Sequence, residues 1–383
     1  MDIARIRAWW SHKQGLDGSL AGGQAGAILQ RSGWVRGGGG AAPYLALFAR
    51  GALSREHVDA ELAAQRIHEL PSARGCTYVL PAADFALGLR VGRGFSDTSE
   101  VRTAAKIGVT AAELGKLREK VLVELSKGLR DPAELREAVG ARSLGEAGRK
   151  VGLSTPLPVV LGMLQQTGEI RRVPTNGRLD QQSYRYSIWN LPEWKGTVED
   201  AYTELARRYF RWTGPATLKE FQWFSGLGVK VAESAVTPLG LVDIGEGRLL
   251  DPAERNEFES FKRPKEPGYS LVASLDGIVL LRRNLLSLLD DSVKLALVRG
   301  VADLPSHGIF DRGQLIGLWE YDPAEAVIVW MCFGKADRAL HAAVEKMESF
   351  VRAQLGDARA MILDSPKSRQ SRLQELRKRT VLR

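Results

Sequence analysis

One stretch, residues 197–250, constrains the fold more than any other because it has the pattern of a helix-turn-helix followed by a β-hairpin. Apolar residues at helical spacing predict a helix over 197–209, which Gly214-Pro215 separates from a second helix over 216–224. A third helix is predicted over 229–239, and alternating residues about a glycine turn predict two short strands. This order is typical of a winged helix, a unit that binds nucleic acid in many proteins and only joins domains in others.

The same order of elements occurs earlier in the chain. Helical patterns cover 111–125 and 133–139, and a third helix begins at the cap Ser154-Thr155-Pro156. Two alternating strands, 169–173 and 183–189, follow as a longer wing. We predict an α+β chain with tandem winged helices and a β-rich C-terminal domain. Its parts are a helical region with a diverged winged helix over 1–107, winged helices over 108–192 and 193–265, and an α+β domain with a basic tail over 266–383.

Length and composition predict a globular protein outside the membrane. A chain of 383 residues with 44% hydrophobic residues can form about two to four domains with ordinary cores. No apolar run approaches the roughly twenty residues of a membrane span, and the N-terminus lacks the apolar stretch of a signal peptide. We therefore expect a cytoplasmic protein. The sequence gives no oligomeric state.

Cysteine and histidine are too sparse for a disulfide framework or a metal site. Cys76 and Cys332 are the only cysteines, and the five histidines do not cluster at ligand spacing. We predict no metal and no other cofactor.

The net charge of +9 is concentrated in two segments. Residues 365–383 carry seven basic residues against one acidic residue, so this tail is either an arm that contacts phosphates or a solvated helix. The second concentration coincides with the longer wing. Because a wing lies beside the phosphate backbone in many such modules, we predict DNA contacts from its four arginines, Arg171, Arg172, Arg178 and Arg185. The helix before that wing offers only Gln165 and Gln166 as polar groups.

Several segments, in a shared order, relate the chain to a known family. They are YLALFAR at 44–50, RGCTYVLP at 74–81, GPAT at 214–217, FSGL at 224–227, LDG at 275–277 and IFDRGQLIGLW at 309–319. On these segments the chain resembles the AlkZ-like DNA glycosylases from about residue 25 to about residue 355. The resemblance implies winged helices around a DNA-binding concavity, with double-stranded DNA as the partner.

The chain departs from the family where the chemistry is expected. The resemblance implies a Gln-x-Gln pair, or a variant with an acidic second residue, just before the helix that ends at Arg50. Such a pair can position water against the sugar carbon of an extruded nucleotide. Residues 34–44 contain no such pair, and Gln24 and Gln30 do not reproduce it. The catalytic residue is therefore unknown from the sequence.

A run of four glycines, 37–40, occupies this stretch. Its backbone N–H groups could cradle a phosphate, but the run lacks the lysine and the serine or threonine of a nucleotide-binding loop, which favours a mobile loop. Arg36, beside the run, is a candidate DNA contact. Farther on, a possible acid-base set consists of Asp276, Asp303, His307, Asp311 and Arg312, although a turn at 311–313 between two strands is the preferred interpretation.

Three functional hypotheses remain. The first is a DNA-binding protein that recognises damaged or distorted duplex DNA, and the absence of Gln-x-Gln favours it over the second. The second is an active glycosylase that excises alkylated bases with a non-standard catalytic residue. The third is a winged-helix scaffold or regulatory protein, which the arginines of the wing disfavour.

Overall fold

The computed structural model describes residues 2–290 and 304–381 as a mixture of helices and antiparallel sheets. No helix in these ranges is long and apolar enough to cross a bilayer. The N-terminal elements are α1 (Ile3–Lys13), α2 (Ala25–Ser32), β1 (Val35–Arg36), α3 (Ala42–Gly51), α4 (Arg55–Ala63), β2 (Ile67–Pro71), β3 (Thr77–Pro81), α5 (Phe85–Gly92) and α6 (Ser96–Lys106).

The N-terminal sheet has the strand order β1-β3-β2 and separates two cores. Val35 pairs with Val79, and Val79 pairs with Glu69. Since directly opposed residues point to one face, these three side chains share a face, while Arg36 and Tyr78 lie on the other. Val35 and Val79 belong to a core that includes the C-terminal sheet. Tyr78 belongs to an aromatic core that includes the helices after residue 197.

The middle of the chain contains the predicted helices and hairpin, with one additional short helix. The elements are α7 (Ala111–Ser126), α8 (Pro132–Ala138), α9 (Gly145–Lys150), α10 (Leu157–Gln166), β4 (Ile170–Pro174) and β5 (Tyr184–Ile188). The Thr110 hydroxyl caps α7 by accepting from the Glu113 backbone N–H, and Asp131 and Glu134 form a capping box on α8. The apolar faces of α7 and α10 pack together in a separate core.

The region from residue 197 also follows the predicted order. Its elements are α11 (Val198–Thr213), β6 (Ala216–Thr217), α12 (Leu218–Ser225), α13 (Val229–Val236), β7 (Val242–Asp243), β8 (Arg248–Leu250) and α14 (Arg255–Ser260). The predicted start of the second helix at 216 is wrong, because Ala216 and Thr217 pair with β8 as a strand. A strand of two residues has no periodicity that a sequence pattern could reveal.

A four-stranded antiparallel sheet of order β12-β11-β10-β9 forms the C-terminal part. The elements are β9 (Tyr269–Val272), α15 (Gly277–Leu280), β10 (His307–Asp311), β11 (Gln314–Asp322), β12 (Val327–Cys332), α16 (Arg338–Phe350) and α17 (Pro366–Val381). Asp311 pairs with Gln314, so the predicted turn is confirmed. The buried His307 ring has Nδ1 3.0 Å from the Ser274 backbone N and Nε2 2.7 Å from the Ala358 carbonyl oxygen. Asp303 of the proposed acid-base set lies outside the described residues.

A buried ion pair joins the N-terminal helices to the C-terminal part. The Arg50 guanidinium donates to both carboxylate oxygens of Asp276, each at 2.8 Å, and also to Gln14 Oε1. Both side chains of the pair are at most 1% exposed. Asp276 also accepts from the Ile278 backbone N–H and so caps α15. Two of the segments that resemble the family, 44–50 and 275–277, are therefore joined by this ion pair in the folded protein.

The basic tail is a helix that packs on β11 and β12, so it is neither an extended arm nor a fully solvated helix. Its contact with phosphates stays a prediction. Arg369 of α17 bonds to Asp357, and Arg372 bonds to Glu320 and Asp364. Arg377 bonds to Asp322 at 2.8 Å. The acidic partners come from β11 and from the segment before α17, which no local pattern in the tail reveals. The Arg379 side chain and Arg383 lie outside the described part of the chain.

Candidate functional site

The glycine run 37–40 is a packed segment, and its interpretation as a mobile loop is wrong. The Gly38 carbonyl accepts from the Ile362 backbone N–H at 3.0 Å, and the Ala41 N–H donates to the Arg359 carbonyl at 2.7 Å. A Cβ on Gly40 would lie 2.4 Å from the Ala360 carbonyl carbon. The run is glycine-rich because residues 359–362 pass directly over it.

A buried carboxylate, Glu69 on β2, lies against this run. Its Oε1 accepts from the Gly38 backbone N–H at 2.9 Å, and its Oε2 accepts from the Tyr184 hydroxyl at 3.3 Å. A Cβ on Gly37 would lie only 2.3 Å from Oε1, so glycine leaves the space that the carboxylate occupies. The anion held by the backbone of the run is therefore a side chain of the protein itself.

Burial and charge act on Glu69 in opposite directions. The residue is 9% exposed. Burial raises the pKa of the Glu69 carboxyl, while the Gly38 N–H, the charges of Arg172 and Arg36, and the Tyr184 hydroxyl oppose the rise. No ion pair at contact distance joins Glu69 to a basic group in the described ranges. A raised pKa is what a carboxyl needs to accept a proton near neutral pH.

The charges of two arginines act on this carboxylate, that of Arg172 on β4 and that of Arg36 on the opposite face of the N-terminal sheet. The Arg172 guanidinium carbon lies 5.2 Å from the centroid of the Tyr184 ring, and that of Arg36 lies 5.5 Å from the Tyr78 ring. Each has a buried nitrogen, Nε of Arg172 and Nη1 of Arg36, without a hydrogen-bond acceptor among the described residues. Both nitrogens are closed to solvent, so neither is open to an external acceptor in this conformation.

On the opposite face of β2, His68 is 2% exposed and surrounded by aromatic rings. Its ring centroid lies 5.1 Å from that of Trp189 and 6.2 Å from that of Phe85. Burial, together with the charges of Arg171 and Arg172, lowers the pKa of His68 to about 3. The imidazole is therefore neutral at physiological pH.

The structure places the arginines predicted to contact DNA in different environments. Arg171 is half-buried and has no hydrogen-bond or ion-pair partner within the residues described. Arg178 Nε donates to Asp180 at 2.9 Å, and its Nη2 lies 3.3 Å from the Leu355 carbonyl oxygen. Arg185 donates to the Leu129 carbonyl and lies 3.4 Å from Glu134. Thus the charges of Arg36 and Arg172 act on Glu69, whereas Arg178 and Arg185 are held elsewhere by intramolecular partners.

The tip of the β4–β5 hairpin is docked on the protein. Leu179 is 2% exposed, and its backbone N–H donates to the Tyr44 hydroxyl at 2.9 Å. Gln182 lies over Gly39, where a Cβ would come within 2.3 Å of Gln182 Cγ. Docking of the tip brings Tyr184 and Arg172 to the glycine run.

Other polar candidates contribute less to this arrangement. Gln165 and Gln166 are 7% and 4% exposed, and Gln165 donates to the Leu161 carbonyl of its own helix. Gln24 and Gln30 are exposed residues at α2. No cluster of three metal-ligating side chains occurs among the residues that the structure describes.

Sequence reasoning missed Glu69. A single glutamate in the strand IHELP matches no motif. The only sequence signal is a charged pair, His68-Glu69, between apolar residues of a short strand, and this pattern equally fits an exposed edge. The contacts with Gly38 and Tyr184, 31 and 115 residues away, identify the site only in the folded protein.

Comparison with known proteins identifies the family. The AlkZ-like DNA glycosylase family matches residues 20–350. The structure is similar to that of the DNA glycosylase AlkZ from Streptomyces sahachiroi, with a TM-score of 0.69, 19% sequence identity, and coverage of 94% of this chain and 98% of that one. No curated protein sequence matches the chain. At that identity the structural likeness concerns the fold alone, whereas the family match covers most of the chain. The chain belongs to the AlkZ-like DNA glycosylase family.

Proposed function

We propose that this protein binds duplex DNA and recognises damaged or distorted sites in it. Membership of the AlkZ-like family indicates a role in DNA repair or damage recognition. The observation that carries the proposal is Arg171 on β4, which is only half-buried and has no hydrogen-bond or ion-pair partner among the described residues, next to Arg172 on the same strand. Arginine with free donors binds phosphate strongly because its planar group can bond two oxygens at once.

We further propose that residues 108–192 and 193–265 are winged helices. Each has three or more helices followed by an antiparallel hairpin, β4–β5 in the first and β7–β8 in the second. Arg36, Arg171 and Arg172 are the DNA contacts that the geometry favours. Arg178 and Arg185 remain predicted contacts, but each would have to exchange an intramolecular partner for a phosphate.

The test is fluorescence anisotropy with a labelled duplex, with and without one 7-methylguanine, over a range of salt concentrations. We expect binding that weakens with salt by about 0.9 in log-log slope for each phosphate contacted, and tighter binding to the damaged duplex. Equal affinity for both duplexes would contradict damage recognition. Absence of binding at low salt would contradict DNA binding altogether and favour the scaffold hypothesis.

A further inference from the structure

Folding stability alone does not account for the glutamate at position 69. Val35 and Val79, which are aligned with Glu69 across the three strands of the sheet, pack into an apolar core. A carboxylate in such a place is disfavoured by desolvation, which an apolar side chain would avoid. Glu69 nevertheless receives only two hydrogen bonds from the described residues, from Gly38 and Tyr184. A buried carboxylate held in this way is a candidate for chemistry.

We propose that Glu69 is a catalytic residue that positions and deprotonates the water which hydrolyses the N-glycosidic bond of a cationic N-alkylated purine nucleotide. This inference rests on the proposed function. The oxygen of water forms a bond to C1′ of the sugar, and the bond from C1′ to the purine nitrogen breaks. The electron pair of that bond neutralises the departing cationic base, and the proton of water passes to the Glu69 carboxylate. The products are the free alkylpurine and an abasic sugar.

The surroundings of Glu69 fit this step. The Gly38 N–H and the Tyr184 hydroxyl each hold one carboxylate oxygen and fix its orientation. Glycine at position 37 makes room for the carboxylate itself, since a Cβ there would lie 2.3 Å from Oε1. The positive charge of Arg172 acts on Glu69, and the half-buried Arg171 on the same strand is a candidate contact for a phosphate beside an extruded nucleotide.

The experiment measures single-turnover release of 7-methylguanine from a duplex oligonucleotide by the full-length protein. Glu69→Gln retains a hydrogen-bond acceptor but cannot accept a proton from water. We expect this variant to bind the duplex with unchanged affinity and to excise the base at least about 100-fold more slowly, which is the range for loss of a general base. Glu61→Gln is the matched control, because Glu61 is 2% exposed but pairs with Arg66 instead.

A second variant displaces the carboxylate without changing its chemistry. A methyl group in Gly37→Ala would press on Glu69 Oε1, so we expect excision to slow at least about tenfold with the thermal melt retained. Gly115→Ala is its control, because nothing lies within 4 Å of a Cβ at that position. The control should excise at the rate of the unchanged protein.

The pH profile separates catalysis from a structural role. Glu69 must be ionised to accept a proton, and burial raises the pKa of its carboxyl. The excision rate should therefore rise with pH until that group is ionised and then level off, and Glu69→Gln should remove the rise.

Two results would overturn the role of Glu69. One is excision by Glu69→Gln within threefold of the unchanged protein. The other is a protein that binds the damaged duplex but releases no 7-methylguanine, and this result would leave the proposed DNA binding intact. Failure to bind any duplex would instead overturn the proposed function together with this inference.

Discussion

The β4–β5 hairpin and the helix α17 are both rich in arginine, but the structure uses them differently. On α17, Arg369, Arg372 and Arg377 each contact at least one carboxylate. On β4, neither Arg171 nor Arg172 contacts a carboxylate as an ion pair among the described residues. The net charge of a segment therefore does not show how many of its basic side chains remain able to bind a ligand.

The difference arises from what packs against each element. Helix α17 lies on β11 and β12, and the end of β11 supplies Glu320 and Asp322. The hairpin lies against the glycine run, where the nearby carboxylate, Glu69, is already held by Gly38 and Tyr184. Arginines of α17 thus stabilise the fold, and we expect those of β4 to bind DNA.

Charge reversal on the hairpin should give the largest effect. We expect the double variant Arg171→Glu and Arg172→Glu to weaken duplex binding at least about 100-fold, or roughly 3 kcal/mol, because two attractive contacts become repulsive. Anisotropy measures the affinity, and a thermal melt verifies folding. The matched control reverses two exposed tail residues, Lys367 and Lys378, and should change affinity less than threefold. Equal losses in both variants would remove the distinction between the two regions.

Loss of a tail arginine should instead reduce stability. Arg372→Ala leaves the buried Glu320 carboxylate, 2% exposed, without its cation. We expect a loss of about 2 kcal/mol in the free energy of unfolding, measured with urea, and little change in DNA affinity. Lys378→Ala should stay within about 0.5 kcal/mol of the unchanged protein. A stable Arg372→Ala protein with weakened DNA binding would contradict our assignment of α17 to the fold.

Burial of His68, together with the charges of the hairpin arginines, also makes the fold sensitive to acid. The folded pKa of about 3 is below the ordinary value of 6.5, so between these values the unfolded chain binds a proton that the folded protein does not. Stability from this group is therefore complete above pH 6.5 and falls as the pH is lowered, by about 1.4 kcal/mol per pH unit. The free energy of unfolding, measured with urea from pH 7 to pH 4, should fall as the pH is lowered. The His68→Phe variant should reduce this slope. The exposed His57→Phe variant should retain it, and equal slopes in all three proteins would refute this role of His68.

The smallest effect is expected at Arg185. Both side chains of its ion pair with Glu134 are exposed, that of Arg185 by 38% and that of Glu134 by 44%. Arg185→Ala should change the free energy of unfolding by no more than about 0.5 kcal/mol, because solvent screens such pairs. DNA affinity should fall by about threefold or less, since a phosphate would only replace Glu134 as its partner. A loss as large as that of the β4 reversal would place Arg185 at the centre of the interface.

The sequence predicted the elements well where the signals are local. The unit that begins with α11 is predicted by apolar spacing and by the break at Gly214-Pro215, and the structure adds a capping box of Thr197 and Asp200 at the start of α11. The turn at 311–313 was likewise predicted from residues next to it. The two-residue strand β6 and the packing of the glycine run were missed, because both depend on partners distant in the chain.

The sequence by itself determined the order of helices and strands and the family to which the chain belongs. Helix caps, turns and apolar periodicity involve residues that are only a few positions apart, so they can be recognised in the sequence. Tertiary structure alone decided that Glu69 lies at the glycine run, that Arg50 pairs with Asp276 across 226 positions, and which arginines of α17 pair with carboxylates. These facts depend on which distant carboxylates and carbonyls the packing brings within about 3 Å of each donor, a distance that no local pattern encodes.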